Sequence, residues 1–170
     1  MHQSRRKEAV VVKSPINIAL VKYWGKVDEE LIIPCNNSIS ITLDTESIFT
    51  QTTVSFTKCN NENSQKDTFE LNGRETKISV RMERCIQMLR DLVDSTAPEK
   101  TVPIIIQSTN NFPTAAGMAS SASGISALVF ALWKLFRLES KVSQKELTEI
   151  ARIGSGSACR SIPGGFVEWH

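Results

Sequence analysis

The residues best suited to chemistry lie in one run of small polar side chains that leads into a helix. Residues 110–124 read Asn-Asn-Phe-Pro-Thr-Ala-Ala-Gly-Met-Ala-Ser-Ser-Ala-Ser-Gly, without a charged side chain. A helix N-terminus has unpaired amide groups and roughly half a positive charge. Small residues and serine hydroxyls let a phosphate approach these donors. The run therefore indicates phosphate binding, although the same residues also open helices only for packing or capping.

The residues after this run have the apolar period of an amphipathic helix. Apolar side chains recur at i, i+3 and i+4, which predicts a helix from about residue 119 to 136. No Gly-Lys-Ser/Thr follows the glycines, so the pattern disfavours a nucleotide-binding P-loop of the Walker type.

Two further segments contain groups that suit anions. Residues 17–26 place Lys22 and Lys26 around Tyr23-Trp24 at a predicted strand end. Residues 154–161 read Gly-Ser-Gly-Ser-Ala-Cys-Arg-Ser, in which exposed amides and the Arg160 fork form a potential anion nest. Snorkelling lysines on a strand and an ordinary helix connection are the alternative interpretations. Taken together, the segments predict a nucleotide site at the Ser-rich helix start and a second polyanion site at Lys22, Lys26 and Arg160.

Composition limits the class of protein. The 170 residues are 41% apolar, enough for the core of one domain. The net charge of +2 is too balanced to suggest a nucleic-acid or membrane partner, and no apolar stretch approaches the roughly 20 residues of a membrane span. Four scattered cysteines disfavour a zinc site or a disulfide scaffold. These features predict a cytoplasmic protein.

The predicted elements that must position these residues give an α+β domain at 9–170 behind a flexible tail at 1–8. Strands are predicted at 9–12, 17–21, 38–43, 50–57, 68–71 and 102–107, and helices at 78–93, 119–136 and 144–153. Ser14-Pro15 is expected to break the first two strands apart. In 38–43 the apolar residues Ile39, Ile41 and Leu43 are expected to share the buried face. Gly154 is expected to be a left-handed helix cap.

Three segments together, at 17–26, 113–121 and 151–169, resemble the diphosphomevalonate decarboxylase family of the GHMP kinase superfamily. The run from 151 to 169 is the most specific, because sibling kinases share the Pro…Gly…Ser-Ser loop only loosely. The resemblance implies a GHMP kinase N-terminal lobe, similar to ribosomal protein S5 domain 2, with a mixed sheet backed by helices. It also implies that 9–170 is the nucleotide- and substrate-binding lobe and that a C-terminal GHMP domain is absent.

The activity that this resemblance implies is the ATP-dependent decarboxylation of (R)-5-diphosphomevalonate. The products are isopentenyl diphosphate, ADP, phosphate and carbon dioxide, in the mevalonate pathway of isoprenoid and sterol biosynthesis. ATP is the cosubstrate and Mg²⁺ its cofactor. Neither nucleic acid nor membrane is an expected partner, and the family forms homodimers.

The same resemblance assigns roles to residues. ATP contacts are expected from Pro113, Ala115, Ala116, Gly117, Met118, Ala119, Ser120, Ser121 and Ser123. Substrate contacts are expected from Tyr23, Trp24, Gly25, Lys26, Arg81, Ser155, Gly156, Ser157, Ala158, Cys159 and Arg160. Lys22, Ser121 and Arg160 are the expected catalytic residues. No metal ligand is firm, although Mg²⁺ is placed near Ser121. For Arg81, a solvent-facing arginine at a helix start is the alternative.

The chain departs from the family in its length. The aspartate that contacts the hydroxyl to be phosphorylated belongs to the family's second half, and Asp28 and Asp44 are expected to be solvated instead. Little or no turnover is therefore expected of this polypeptide. Two alternatives stay open: a non-catalytic short isoform or fragment that binds nucleotide or the full-length enzyme, and a sibling GHMP small-molecule kinase.

Overall fold

A computed structural model describes residues 9–57, 66–113 and 120–170. The strands in these ranges are β1 Ala9–Pro15, β2 Asn17–Val21, β3 Lys26–Asp28, β4 Ile33–Pro34, β5 Ser38–Thr42, β6 Phe49–Phe56, β7 Thr68–Leu71, β8 Arg74–Glu75, β9 Ile104–Asn110 and β10 Phe166–Trp169. The α-helices are α1 Val80–Asp91, α2 Ser120–Leu135 and α3 Gln144–Gly154, and short 3₁₀-helices cover Pro98–Lys100 and Gly156–Arg160. The predicted tail at 1–8 lies outside the described residues.

The larger sheet is mixed and has the strand order β1-β6-β9-β7-β8. β1, β6 and β9 pair antiparallel, whereas β7 runs parallel to β9. The β7–β8 hairpin turns at Asn72 and Gly73, whose φ angles of 50° and 76° suit a tight two-residue turn. An Asn-Gly pair between two short strands is a typical hairpin signal, and the structure has the hairpin there.

The helices cover one side of this sheet. α2 packs on β1 and β6, and α1 and α3 pack beside it. Fully buried side chains such as Leu128, Leu132, Val54 and Ile104 join the helices to the sheet in a single apolar core. The predicted α+β class, with a mixed sheet backed by helices, is confirmed. None of the helices in the described ranges is long and apolar enough to cross a membrane.

A smaller sheet is antiparallel and has the strand order β10-β5-β2. The predicted orientation of its central strand is wrong. Ser38 and Ser40 are fully buried, and Ile39 is 40% exposed. The inner face is polar because the groups it meets are polar, namely the guanidinium of Arg160 and the carbonyl of Val167.

Two local predictions also differ from the structure. The predicted separation of the first two strands is present, but its position differs: β1 continues through Ser14 to Pro15, which pairs with Phe49 as the last residue of its ladder. Gly154 is the last residue of α3 and not a left-handed cap. A Cβ atom there would lie 2.7 Å from Cγ2 of Ile125 and 2.8 Å from Sγ of Cys85. Glycine is needed at 154 because α1, α2 and α3 approach closely.

Candidate functional site

Arg160 lies at the end of the second 3₁₀-helix and is only 3% exposed. Its Nε donates to Oδ1 of Asn17 at 3.3 Å, Nη1 donates to Oγ of Ser38 at 2.8 Å, and Nη2 donates to Oγ of Ser157 at 3.1 Å. All three acceptors are neutral. Within the described ranges no carboxylate forms an ion pair with this guanidinium. The arrangement holds a buried positive charge without a counter-charge.

Two aromatic rings flank the guanidinium. The ring centroids of Tyr23 and Trp169 lie 5.8 Å and 5.9 Å from Cζ of Arg160, and 4.7 Å from each other in an edge-to-face arrangement. Aromatic faces attract a cation without neutralising it. Burial lowers the pKa of Arg160, and the nearby Cys159 and Tyr23 oppose this shift. Arginine stays protonated in proteins, so Arg160 keeps its positive charge. An anionic ligand is the kind of partner that would balance this charge.

The segment that follows β2 is fixed by side chains of the β4–β5 connection and β5. Nδ2 of Asn36 donates to the carbonyl of Lys22 at 3.1 Å, and Oδ1 of Asn36 accepts from the amide of Trp24 at 2.8 Å. Ser38 donates to the carbonyl of Val21 at 2.7 Å. These bonds determine the path of the backbone from the end of β2 to Trp24.

The side chains of this segment differ in accessibility. Lys22 is exposed and Trp24 is 72% exposed, whereas Tyr23 turns inward to Arg160. Nζ of Lys26 forms a 2.7 Å ion pair with Glu29, a surface contact that stabilises the fold little. Gly25 has a φ of 63° and lies against Cys35. The structure therefore brings Tyr23 to Arg160 and leaves the two lysines at the surface.

Arg160 and the side chains that contact it form the Arg160 cluster, with Asn17, Tyr23, Ser38, Ser157 and Trp169. A cavity of about 380 Å³ lies between the starts of α1 and α2 and the end of α3. Arg81, Ser120, Ser121 and Ser155 line it together with hydroxyls of the larger sheet. Its apolar wall consists of Phe69, Leu71, Met82, Ile106, Ile125 and Leu128. The predicted helix-start serines and Arg81 thus share one cavity with Ser155, although Arg81 is exposed.

Ser123 and Pro113 lie apart from this cavity. Ser123 is fully buried, shares a 2.7 Å hydrogen bond with Oγ1 of Thr50 and donates to the carbonyl of Ser120 at 3.3 Å. Its hydroxyl is therefore engaged in holding α2 on β6. Pro113 is exposed. The predicted ATP contacts Ala115, Ala116, Gly117, Met118 and Ala119 lie outside the described residues.

The 3₁₀-helix connects the cavity with the Arg160 cluster. Ser155 precedes it and lines the cavity, whereas Ser157 contacts Arg160. A Cβ atom on Gly156 would lie 2.7 Å from the Tyr23 hydroxyl, so glycine lets the helix approach that ring. Ala158 and Cys159 are buried, and Sγ of Cys159 donates to the carbonyl of Gly156. Arg160 itself does not line the cavity.

The donors around Ser121 do not form a metal site by themselves. In the part of the chain that the structure describes, no three His, Cys, Asp or Glu side chains cluster as metal ligands. The residues of the cavity offer hydroxyls and no carboxylate, whereas Mg²⁺ prefers carboxylate and phosphate oxygens. These residues fit Mg²⁺ only as an ion that enters with a polyphosphate.

The two aspartates considered from the sequence hold turns. Asp28 accepts from the amides of Glu30 and Leu31 at 2.8 and 2.7 Å. Asp44 accepts from the Ser47 hydroxyl and the Glu46 amide, and these bonds lower its pKa. A carboxylate with a lowered pKa is a weak base. Both carboxylates are engaged in holding turns.

Sequence reasoning missed four residues of the candidate site: Asn17, Ser38 and Trp169, which contact Arg160, and Asn36, which holds the segment after β2. Asn17 and Trp169 lie in two of the segments that carry the resemblance, but the resemblance assigns them no role. The alternation of Ser38 and Ser40 with Ile39 and Ile41 was the available signal. Alternation alone predicts that the serines face outward, whereas the structure turns them inward, where Ser38 bonds to the buried Arg160.

Residues 14–170 match the family model described as the diphosphomevalonate decarboxylase-like N-terminal domain. The diphosphomevalonate decarboxylase of Danio rerio is 44% identical, with 95% of this chain and 40% of the relative aligned. That of Candida albicans is 47% identical, over 94% of this chain and 44% of the relative. The chain thus spans about two fifths of the length of these curated relatives.

Solved structures agree with this match. The mevalonate diphosphate decarboxylase of Trypanosoma brucei superposes with a TM-score of 0.79 at 44% identity, covering 96% of this chain and 42% of that one. MDDEF, solved in complex with MVAPP, AMPPCP and magnesium, has a TM-score of 0.77 at 40% identity, covering 95% and 46%. By the match of its residues 14–170, the chain belongs to the diphosphomevalonate decarboxylase family, of which it carries the N-terminal domain.

Proposed function

We propose that the protein is a lyase that converts (R)-5-diphosphomevalonate and ATP into isopentenyl diphosphate, ADP, phosphate and carbon dioxide. The observation that carries this proposal is the buried guanidinium of Arg160, which has only neutral acceptors and aromatic neighbours. Because the chain spans about two fifths of its relatives, the activity is proposed for the whole protein.

The Arg160 cluster is the proposed site for the substrate's charged groups. A diphosphate or carboxylate would supply the negative charge that Arg160 lacks, and arginine binds both through pairs of N–H groups. Tyr23 and Ser157 adjoin Arg160 and would border the same ligand. The exposed ammonium of Lys22 would add a second positive charge at the end of β2. The ligand MVAPP of the related MDDEF has this chemistry.

The cavity beside the cluster is the proposed nucleotide site. Its apolar wall suits a base, and Ser120, Ser121 and the start of α2 suit phosphate oxygens. Arg81 and Ser155, from which the resemblance implies substrate contacts, line the same cavity and would bind the diphosphate of the substrate beside the nucleotide phosphates. The related MDDEF binds an ATP analogue with magnesium, and Mg²⁺ would enter here with the nucleotide phosphates.

This arrangement fits the order of the reaction. Transfer of the γ-phosphoryl group to the tertiary hydroxyl converts a poor leaving group into a good one. Departure of that phosphate and of carbon dioxide then forms the double bond, the electron pair of the broken C–C bond becoming its π bond. The role of Lys22, Ser121 and Arg160 is electrostatic: they hold the negative oxygens that crowd together during phosphoryl transfer.

The test is binding and product formation by an Arg160→Gln variant. We expect this variant to bind diphosphomevalonate at least tenfold more weakly, since a charge-assisted pair is lost. Arg84→Gln, which removes an exposed arginine of α1, is the matched control. Calorimetry on this chain measures binding. Release of carbon dioxide and phosphate is measured on the whole protein, since little or no turnover is expected of this chain alone. Equal affinities in the three proteins would contradict the proposal, and ADP formation without carbon dioxide would indicate a sibling kinase instead.

A further inference from the structure

Ser38 forms a hydrogen-bonded relay between two parts of the site. Its fully buried hydroxyl accepts from Nη1 of Arg160 at 2.8 Å and donates to the carbonyl of Val21 at 2.7 Å. A hydroxyl has one hydrogen and two lone pairs, so both bonds form at once and each has a fixed direction. The relay runs from Arg160 through Ser38 to Val21.

Val21 is the last residue of β2, immediately before Lys22 and Tyr23. The relay therefore fixes the guanidinium relative to the segment that holds the other site residues. Asn17 adds a second link, because it accepts from Nε of Arg160 and donates to the Arg160 carbonyl. Ser38 differs from Asn17 in that it binds Nη1, a terminal nitrogen of the guanidinium, whereas Asn17 binds Nε.

Trp169 strengthens this arrangement from the neighbouring strand. In the β10–β5 ladder Trp169 is the cross-strand partner of Ser38. Its ring lies 5.9 Å from Cζ of Arg160. The same pair of positions therefore provides a hydrogen bond to the guanidinium and an aromatic ring beside it.

The fork keeps donors for a ligand. A guanidinium has five N–H groups, and the neutral acceptors Asn17, Ser38 and Ser157 engage one each on Nε, Nη1 and Nη2. One N–H on each terminal nitrogen has no acceptor within the described ranges. Two such groups match two oxygens of a phosphate or carboxylate.

We propose that Ser38 is a positioning residue of this site, which orients the Arg160 fork so that its two remaining N–H groups meet the anionic end of the substrate. Ser38 does not itself contact the ligand. The proposal rests on the proposed function, because it needs Arg160 to bind an anion. It adds a residue to which neither the resemblance nor the family match assigns a role.

Ser40 provides a matched control for the test. It lies two residues along the same strand, on the same face, and is equally buried, but its hydroxyl donates to the carbonyl of Val167 at 3.4 Å and not to Arg160. Diphosphomevalonate is titrated into the wild type, Ser38→Ala and Ser40→Ala by calorimetry. We expect Ser38→Ala to raise the dissociation constant about tenfold and Ser40→Ala to change it less than twofold. Equal changes in the two variants would overturn the proposal.

A spectroscopic measurement tests the geometry without ligand. If the relay exists, rotation of the Arg160 fork is restricted, and separate Nη–H signals appear in the nitrogen-15 spectrum of the wild type. Arg160→Gln identifies these signals by their loss. We expect them to persist in Ser40→Ala and to merge in Ser38→Ala. Merged signals in the wild type would overturn the proposal even if Ser38→Ala does not fold.

The outcomes separate this proposal from the proposed function. If the wild type does not bind diphosphomevalonate, or if Arg160→Gln binds it equally well, the proposed function fails. If Arg160→Gln loses binding but Ser38→Ala retains it, the site stands and the positioning role of Ser38 is wrong.

Discussion

Arg160 shows how the choice of partners for one residue determines what a site can do. A carboxylate partner would have neutralised its charge within the fold. Amide and hydroxyl oxygens satisfy its donors while the net charge remains. Burial then makes that charge strongly attractive to an anion, because the surrounding dielectric constant is low.

Two buried thiols allow a residue-scale prediction about pH. Burial raises the pKa of Cys85 and of Cys159 from 9.0 to about 11. In the unfolded chain these thiols ionise first as the pH rises, so the folded state binds more protons between pH 9 and about 11. The free energy of unfolding should therefore fall in this window, by about 1.4 kcal/mol per pH unit for each thiol.

The measurement is urea denaturation at several pH values for the wild type and Cys85→Ala. We expect the wild type to lose stability more steeply above pH 9, so that the difference between the two proteins changes by about 1.4 kcal/mol per unit. Cys35→Ala, which removes an exposed thiol, should follow the wild-type slope. Parallel curves for wild type and Cys85→Ala would show that burial does not protect this thiol.

At the scale of residues, the sequence predicted Arg160 and Tyr23 as site residues, but not the side chains that hold Arg160 in place. Arg160 and Tyr23 stand in recognisable local segments. Asn17 lies 143 residues from Arg160 along the chain and Ser38 lies 122 residues from it. Contacts over such separations follow from strand pairing and helix packing, which a single sequence does not specify.

At the scale of elements, hydrogen bonds between hydroxyl groups position the start of α2 on the larger sheet. Ser14 and Ser126 share a hydrogen bond, as do Thr50 and Ser123, so the first turns of α2 are tied to β1 and β6. Further along the helix the contact becomes apolar, through residues such as Leu132. The polar end of α2 is the end that borders the cavity.

Glycines 124 and 154 permit an element-scale prediction with an internal control. A Cβ atom on Gly154 would overlap Ile125 and Cys85, so Gly154→Ala should lower the free energy of unfolding by about 1–3 kcal/mol. A Cβ atom on Gly124, inside α2, would meet nothing within 4 Å. Gly124→Ala should therefore raise the free energy of unfolding by about 0.5–1 kcal/mol, because alanine has the higher helix propensity.

Urea denaturation measures both changes in the free energy of unfolding. Opposite signs for the two substitutions are the expected result. A destabilising Gly124→Ala, or a neutral Gly154→Ala, would mean that the helices are spaced differently from the described packing.

The existence of most elements was predictable, whereas their orientation was less so. Apolar period located all three α-helices to within two residues at each end. The position of β5 was predicted correctly, but the wrong face was assigned to the interior, because apolar alternation assumes that the interior is apolar. Ser38 and Ser40 show that the interior behind β5 is polar. The failure coincides with the candidate site, where the charge of Arg160 is buried.

At the scale of the whole molecule, the second 3₁₀-helix joins the two sheets. It packs on α2 and α3, which cover the larger sheet, and its Arg160 bonds to Asn17 and Ser38 of the smaller sheet. The cluster that would bind the diphosphate is therefore also the link between the two layers. Ligand binding and cooperative unfolding should depend on the same contacts.

Trp133 and Trp169 can report on these two layers separately. Trp133 is buried near the C-terminal end of α2, where its Nε1 donates to the carbonyl of Val142, and Trp169 is buried in the smaller sheet. With 5-fluorotryptophan, each gives its own fluorine signal. Because Arg160 links the layers, we expect both signals of the wild type to disappear at the same urea concentration. In Arg160→Gln, the signal of Trp169 should disappear first.

Diphosphomevalonate at a hundredfold excess over its dissociation constant should stabilise the wild type by about 2.7 kcal/mol. Since the layers unfold together, the ligand should shift both tryptophan signals equally, although it binds at one edge. In Arg160→Gln it should shift neither. A wild type in which the ligand moves only the Trp169 transition would show that the smaller sheet unfolds independently and that the Arg160 cluster does not couple the two sheets.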